Sequence, residues 1–419
     1  MMKKILLSLT IFLLVPVVWN CSNPDTDSKD IPFHVDFENY KLSVDLKLSD
    51  LMEDCRLVAL ETTDESLLPD NFQVINLSGD YIIIHDRGNV YKFSSDGKFI
   101  RKVLKNGRGP GEISVSCMYD YDNKANILYF EDDFNENDVI KRYDMESEKF
   151  LPQIPKCFKG FWLDLELYQD SLIMGSIEGV LRGETNPYAL FIQNFKGDLI
   201  EGIKSNRTFI IPRPDNTKDE VLQRAVFYTG DENMHVMYWR DDTLFTLKDM
   251  HLSPYLIAEH KGKYTVPNML PVEGDTFTWY DQYENPCFMF IQHSLFTGWT
   301  SEGGWSRAHY KRDYIILNKA TGKYGLIQSY EDDFNRRNYL LGKALTFKPG
   351  VDKEFPKPKT SPDGLIFTTY YPTELPESIT NNAFRNLADQ LNTLNKTLKE
   401  TDNPVLLIGK PKKKLRILN

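Results

Sequence analysis

The sequence predicts an all-β fold, a six-bladed β-propeller with a helical insertion near the C-terminus. Three observations carry this expectation. Apolar and polar residues alternate in short segments from residue 56 to about 330, the pattern of half-buried strands. A strand–turn–strand unit recurs at intervals of about 50 residues, the span of one four-stranded propeller blade. A lone strand, Leu57 to Leu60, stands before the first full unit, as a ring requires when its last blade is completed by the opposite end of the chain.

In chain order, residues 1–20 read as a signal peptide. Lys3 and Lys4 precede an almost wholly apolar run from Ile5 to Val18, the n- and h-regions of a secretory signal. The run is shorter than the ~18 apolar residues of a spanning helix, and Pro16 interrupts it. Cys21 follows directly and resembles the lipobox cysteine of bacterial lipoproteins, whose thiol takes up diacylglycerol. Trp19 and Asn20 depart from the small residues usual there. Residues 21–44 are expected to form a lipidated polar tether, with Ser22 to Asp30 polar, acidic and broken by Pro24. The scattered acids resemble the surface-export signals of Bacteroides-group lipoproteins. Removing residues 1–20 takes away two lysines and no acid, so the net charge moves further negative from −10. Such a body reaches a membrane through its lipid alone.

The repeated hairpins follow. Val90 to Ile100, with an Asp96–Gly97 turn, is the first. Ile140 to Phe150, Leu190 to Ile200, Thr243 to Asp249 and Tyr314 to Lys323 continue the series, with turn centres near 97, 147, 197, 249 and 322. The long last interval predicts an insertion over 261–312. A sixth unit runs from Gly364–Tyr370 to Val405–Ile408, and Leu57 to Leu60 closes the ring beside it. Between those strands, residues 378–399 carry Phe384, Leu387, Leu391, Leu394 and Leu398 at helical spacing, a stripe expected to pack on the propeller. The basic tail from Lys410 to Arg416 is expected to be a charged edge strand.

Composition excludes other classes. With 41% hydrophobic residues the chain is not disordered, and 24 Gly and 22 Pro exclude collagen-like or low-complexity chains. An acidic balance without a basic stripe argues against nucleic acid as a partner. Cys55, Cys117, Cys157 and Cys287 form no C-x-x-C pair, so they are expected as buried free thiols.

The strand Val58-Ala59-Leu60-Glu61-Thr62-Thr63, the Tyr91–Ile100 hairpin and the Gly107-Arg108-Gly109-Pro110-Gly111-Glu112 loop together resemble the exported six-bladed β-propeller (TolB-like) lipoproteins of Bacteroides-type bacteria. The resemblance covers residues 45–330 and implies fold and address. It implies no activity and no catalytic residue.

The search for chemistry yields little that is specific. Gly107 to Glu112 is followed by a strand-like segment and not by a helix N-terminus, so it is no phosphate loop. Asp120, Asp122, Asn126 and Glu131 fit part of a calcium-loop template, but Lys124 and Ala125 break it. Glu131 to Asn135 recurs at Glu331 to Asn335, read as two acidic turns. The seven histidines lack metal-binding spacing and no G-x-S-x-G elbow occurs, so no metal and no cofactor is implied. The segment 277–312 stands out, because three of the six tryptophans fall within it. Trp279, Tyr280, Trp299, Trp305, Arg307 and His309 are the candidate ligand-binding residues. Aromatic faces beside cations suit sugar rings, peptides or aromatic ligands.

The sequence thus favours a cell-envelope lipoprotein, held at the outer membrane or elsewhere in the envelope, that binds a glycan, a peptide or a protein. The alternatives are a hydrolase or lyase at the channel mouth, and a structural subunit of an envelope complex docked through the 380–398 helix.

Overall fold

The structure is a computed structural model. It describes residues 32–419 apart from 70–71, 108, 110–111, 114–118, 132–137, 161, 178–187, 205–207, 213–217, 223–224, 231–232, 239–240, 260–275, 281–284, 303–304, 341–357, 416–417 and 419. Backbone alone is described at 163, 177, 208–212, 218–222, 229–230, 276–280, 299–302, 305–308 and 340.

Six antiparallel sheets form a ring, as the periodicity predicts. Blade one is built from Gln73–Asn76, Tyr81–Asp86, Asn89–Ser94 and Phe99–Asn106, and blade two from Tyr119–Asp122, Ile127–Phe130, Val139–Asp144 and Lys149–Phe150. Blade three comprises Trp162–Tyr168, Leu172–Ile177, Tyr188–Asn194 and Leu199–Lys204. Blade four comprises Ala225–Gly230, Asn233–Tyr238, Thr243–Lys248 and His251–Glu259. Blade five uses Thr276–Tyr280, Phe288–Glu302, Trp305–Asn318 and Tyr324–Asp332. The first strands of blades one to four touch in succession, which puts them around the axis. Every repeated turn read from the sequence is the hairpin between the third and fourth strands of its blade.

The segment 261–312 is therefore different from an added insertion. Its described part holds the first two strands of blade five and most of the third. Part of the extra length lies in two long strands, since Phe288–Glu302 and Trp305–Asn318 have 15 and 14 residues.

The N-terminal segment binds the ring together. Strand β1 (Phe33–Asp36) adds in parallel to the outer strand of blade four, with Val35 opposite Ala258. Strand β2 (Ser43–Lys47) adds in parallel to the outer strand of blade five, with Val44 opposite Ile327. A single helical turn, α1 (Leu48–Leu51), leads into β3 (Met52–Ala59). That strand completes blade six, pairing antiparallel with Val405–Pro411 beside Ile366–Tyr370 and Lys359–Thr360. Residues 33–44, expected as part of a polar tether, are thus a strap within the folded body. Val35, Val44 and Leu46 are buried and explain why it stays there.

The helix near the C-terminus covers the free edge of β3. A 3₁₀ segment (Asn382–Leu387) runs into α2 (Ala388–Thr397), shorter than the predicted 378–399. Phe384, Leu387 and Leu391 are buried against blades five and six. Gln390 accepts from Leu57 N (3.3 Å) and donates to Leu57 O (2.5 Å), and Asn386 donates to Cys55 O (3.3 Å). These side chains answer the unpaired backbone groups that an edge strand exposes. Val405–Pro411 is accordingly an inner strand of its sheet, and the basic tail, expected as an edge strand, is in strand only at Lys410 and Pro411 among the described residues. Lys410 pairs with Asp54 and Lys412 donates to Ser49 O, drawing the basic tail along the strap.

Two of the motifs that carry the family resemblance, the Val58–Thr63 strand and the Tyr91–Ile100 hairpin, sit at the closure. Glu61 accepts from Phe99 N (2.8 Å), and Thr62 Oγ1 accepts from Asn403 N (2.6 Å). Asn403, buried, donates to Glu61 O and Ser66 O and accepts from Leu68 N. Gly97 has φ +91°, and a Cβ there would overlap the Ala59 carbonyl. Blade one's hairpin therefore presses directly on the end of β3.

Asp120 and Asp164 repeat a single device between first strands. Asp120 accepts from Leu167 N of the next blade (2.6 Å) and from Tyr121 N (2.7 Å). Asp164 accepts from Phe227 N of the next blade (3.2 Å) and from Leu165 N (3.1 Å). Burial pushes both carboxyls up, Asp164 to about 7 and Asp120 to about 6. The unfolded chain binds protons here only near pH ~3.9. The folded state thus holds extra protons between about pH 4 and 7, and this contribution to stability falls as pH rises through that window. Asp164→Asn keeps an acceptor for Phe227 N and removes the buried charge. Urea unfolding at pH 5, 6, 7 and 8 should show the variant gaining on the native protein, by on the order of 1–3 kcal/mol at pH 8. An unchanged difference across pH contradicts this reading.

Candidate functional site

Blade five divides above its core, and the division makes a cavity. Its third and fourth strands pair only from Ile315–Leu326 to Leu317–Tyr324. Beyond that point the third strand stays with the second, as far as Glu302–Trp305. The fourth strand instead pairs with β2 and with Arg337–Leu340. The fork encloses about 930 Å³, within the size range of small-molecule sites.

Each wall comes from a different element. His293 and Leu295 line it from the second strand, Lys311 and Asp313 from the third, and Leu326 and Gln328 from the fourth. Ladder geometry sets His293 opposite Asp313 and Leu295 opposite Lys311. The remaining wall is the strap between β1 and β2, residues Phe37 to Lys41 with Ser43. That turn is held by Asp36, whose carboxylate accepts from Glu38 N (2.8 Å), Asn39 N (3.1 Å) and Asn39 Nδ2 (2.9 Å). Asp36 N in turn donates to the Tyr324 hydroxyl (2.9 Å), and Phe37 N to Glu259 O (2.9 Å). The wall is thus formed in advance of any ligand.

Aromatic rings and a balanced set of charges define the interior. Phe37 stacks on His293, with centroids 4.4 Å apart and planes at 24°, and Tyr40 stands edge-on to Phe37. The Tyr40 hydroxyl is buried with no hydrogen-bond partner among the described residues. Burial, then Asp313 and Glu38, hold its pKa well above the ordinary phenol value. Asp313 is pushed up by burial while Lys311 pulls it down. Among the described residues of the lining, Lys41 and Lys311 offset Glu38 and Asp313.

The six residues singled out from the sequence lie on strands of this same blade. Trp279 and Tyr280 fall on its first strand, Trp299 on its second, and Trp305, Arg307 and His309 on its third. Side chains of all but His309 lie outside the described residues. His309, half-buried, receives the Thr297 hydroxyl on its carbonyl (3.2 Å). His309 stands two positions before Lys311 on the third strand. Positions 279 and 299 pair with Gln292 and Ala308. Sequence reasoning missed the strap residues Phe37, Tyr40 and Lys41. The alternation of Val35, Val44 and Leu46 was the signal available. Cys21 lies outside the described residues.

Other sequence features resolve as scaffold. In the glycine loop, Glu112 folds back so that its own carboxylate accepts from Gly109 N (2.7 Å), filling the place an anion would take. Each residue of the partial calcium template has protein partners. Asp122 accepts from Lys124 N and Ala125 N, Asn126 from the Tyr121 hydroxyl, and Glu131 from Trp162 N and Lys156. In the second acidic turn, Asp332 accepts from the Tyr370 hydroxyl (2.8 Å), and Asp333 from Ser49 and Asn381. The first copy, residues 132–135, lies outside the described residues. Among the described residues no three His, Cys, Asp or Glu converge as a metal site would. Cys55 and Cys157 are free thiols, burial pushes Cys55 up to about 12, and Cys287 Sγ lies 3.9 Å from Pro411 O; Cys117 lies outside the described residues.

A six-bladed ring with a forked blade defines a β-propeller with a side cavity. The chain belongs to the family described as a domain of unknown function (DUF4934), whose profile matches residues 30–410. Among solved structures it is similar to BF0058 of Bacteroides fragilis NCTC 9343, designated a candidate exported protein, at 15% identity and a TM-score of 0.56, over 91% of this chain and 100% of that one. It is also similar to a DUF4221-family member from Bacteroides vulgatus, at 11% identity and a TM-score of 0.43, over 87% of this chain and 98% of that one. No curated protein matches the sequence.

Tyr40→Phe tests the cavity's construction. It removes a buried hydroxyl without a protein partner and leaves the ring contact with Phe37. Thermal and urea unfolding should show no loss of stability, within about 0.5 kcal/mol, or a small gain. A loss of 1 kcal/mol or more means that the hydroxyl has a structural partner.

Proposed function

We propose that this protein is an exported, lipid-anchored propeller of the cell envelope that binds a ligand in the fork of blade five. One observation carries the binding reading: a cavity of about 930 Å³ whose strap wall is fixed in advance by Asp36 and Tyr324. Preorganised walls reduce the ordering cost that binding must overcome. The polar groups within it, Tyr40, Asp313 and Gln328, come from three separate elements. Such convergence on one space is what a small-ligand site requires.

The address rests on Lys3 and Lys4, the apolar run to Val18, and Cys21. The similarity to a candidate exported protein agrees with it. Among the described residues, no helix is long and apolar enough to cross a membrane.

Labelling with an alkyne-tagged palmitate analogue in a Bacteroides-type host tests the anchor, with membrane fractionation beside it. The native chain should take up label and sediment with the envelope. Cys21→Ala should lose both properties. Label retained by the variant overturns the assignment of Cys21.

A further inference from the structure

We infer that the forked cavity of blade five takes a neutral saccharide, a short oligosaccharide of unmodified sugar rings; this rests on the binding reading above. The inference starts from charge. Lys41 and Lys311 are matched by Glu38 and Asp313 around one space. A phosphate, a sulfated sugar or an acidic peptide would meet two carboxylates as well as two ammonium groups. A polycation would meet the converse. Among the described lining residues the balance favours neither sign.

The second argument is the alternation of surface types. A pyranose presents apolar C–H faces and a rim of hydroxyls that both donate and accept. The walls supply apolar ring surface from the Phe37–His293 stack and from Tyr40. Around it stand the planar groups of Asp313, Gln328 and Asn39, which are able to engage adjacent hydroxyls in pairs. Tyr40 adds a buried hydroxyl that no described protein group answers. Buried polar groups of this kind find a partner when a polar ligand or water fills the space beside them.

The third argument is shape. The Ile315–Leu326 ladder closes the bottom of the fork, and the strap walls one side. A cavity of about 930 Å³ holds a compact ligand end.

The experiment uses the full mature chain and isothermal titration. The neutral probes are maltotriose, cellotriose, xylotriose, mannotriose, laminaritriose and chitotriose. The charged probes are inorganic phosphate, heparin disaccharide, an acidic peptide and a basic peptide. At least one neutral trisaccharide should bind, with an affinity that changes less than twofold when salt is raised from about 50 to about 500 mM, since uncharged ligands are not screened. Gln328→Ala and Tyr40→Phe should each weaken it at least fivefold with unfolding transitions unchanged. Binding of a charged probe in the fork, abolished by Lys311→Gln or Asp313→Asn, with no neutral sugar bound, overturns the saccharide inference and leaves the binding reading standing. Sugar binding untouched by the Gln328 and Tyr40 variants overturns the placement in the fork. If no probe binds, the inference falls, and an unbiased metabolite screen without any fork-dependent ligand removes the binding reading too.

Discussion

The pairing of β3 with Val405–Pro411 is the interaction on which the rest of the molecule depends. It joins the start of the folded chain to its end across more than 340 residues, with Leu57 opposite Leu407 and Ala59 opposite Val405. A propeller has no central core to hold it shut. Its blades bury their faces only against neighbours, so one open junction exposes two apolar surfaces at once. Val58, Leu406 and Ile408 pack with Ile82, Ile84 and Phe93 of blade one, while Leu57 and Leu407 pack toward blade five. Blade six therefore buries both its faces only when β3 is in place.

Closure also accounts for the strap. To deliver β3 to blade six, the chain first passes blades four and five, and it leaves a strand on each. The strap is anchored by α1 and by Asp333, which accepts from Ser49 N and Ser49 Oγ. Lys47 pairs with Glu331 beside it (2.8 Å). With the strap fixed at both ends, the turn at Phe37–Lys41 has one place to lie, and that place is the mouth of the fork. Scaffold and site thus share a cause: the segment that closes the ring also walls the cavity.

Much of the fold was legible because its signals are local. Asp96–Gly97, Asn194 to Gly197 and the turn at Gly322 mark their hairpins by residue type, and each glycine has positive φ. Phe384, Leu387 and Leu391 announce a helix by spacing alone. The glycine loop ending in Glu112 and the Leu60–Thr63 segment were recognisable as motifs, although their meaning is tertiary: one satisfies its own glutamate, the other clamps the closure. The strap was missed because β1 and β2 are short and their partners lie more than 220 residues away. In the sequence, Asp36 to Lys41 reads as a polar connector. The site was legible in part. Aromatic content drew attention to a hairpin that also lines the cavity, but the cavity arises where a ladder stops, between Ile315 and Leu326. No residue type at either position marks that event.

The most direct measurement is native-state hydrogen exchange on the full chain, followed by mass spectrometry. It compares the amides of β3 and Val405–Pro411 with those of the strands in blades one and three. If closure holds the ring, the amides of both closure strands exchange only through global opening, with the same free energy and the same denaturant dependence as the most protected strands. Exchange of β3 through a separate opening several kcal/mol lower, with blades one and three still protected, would contradict the account.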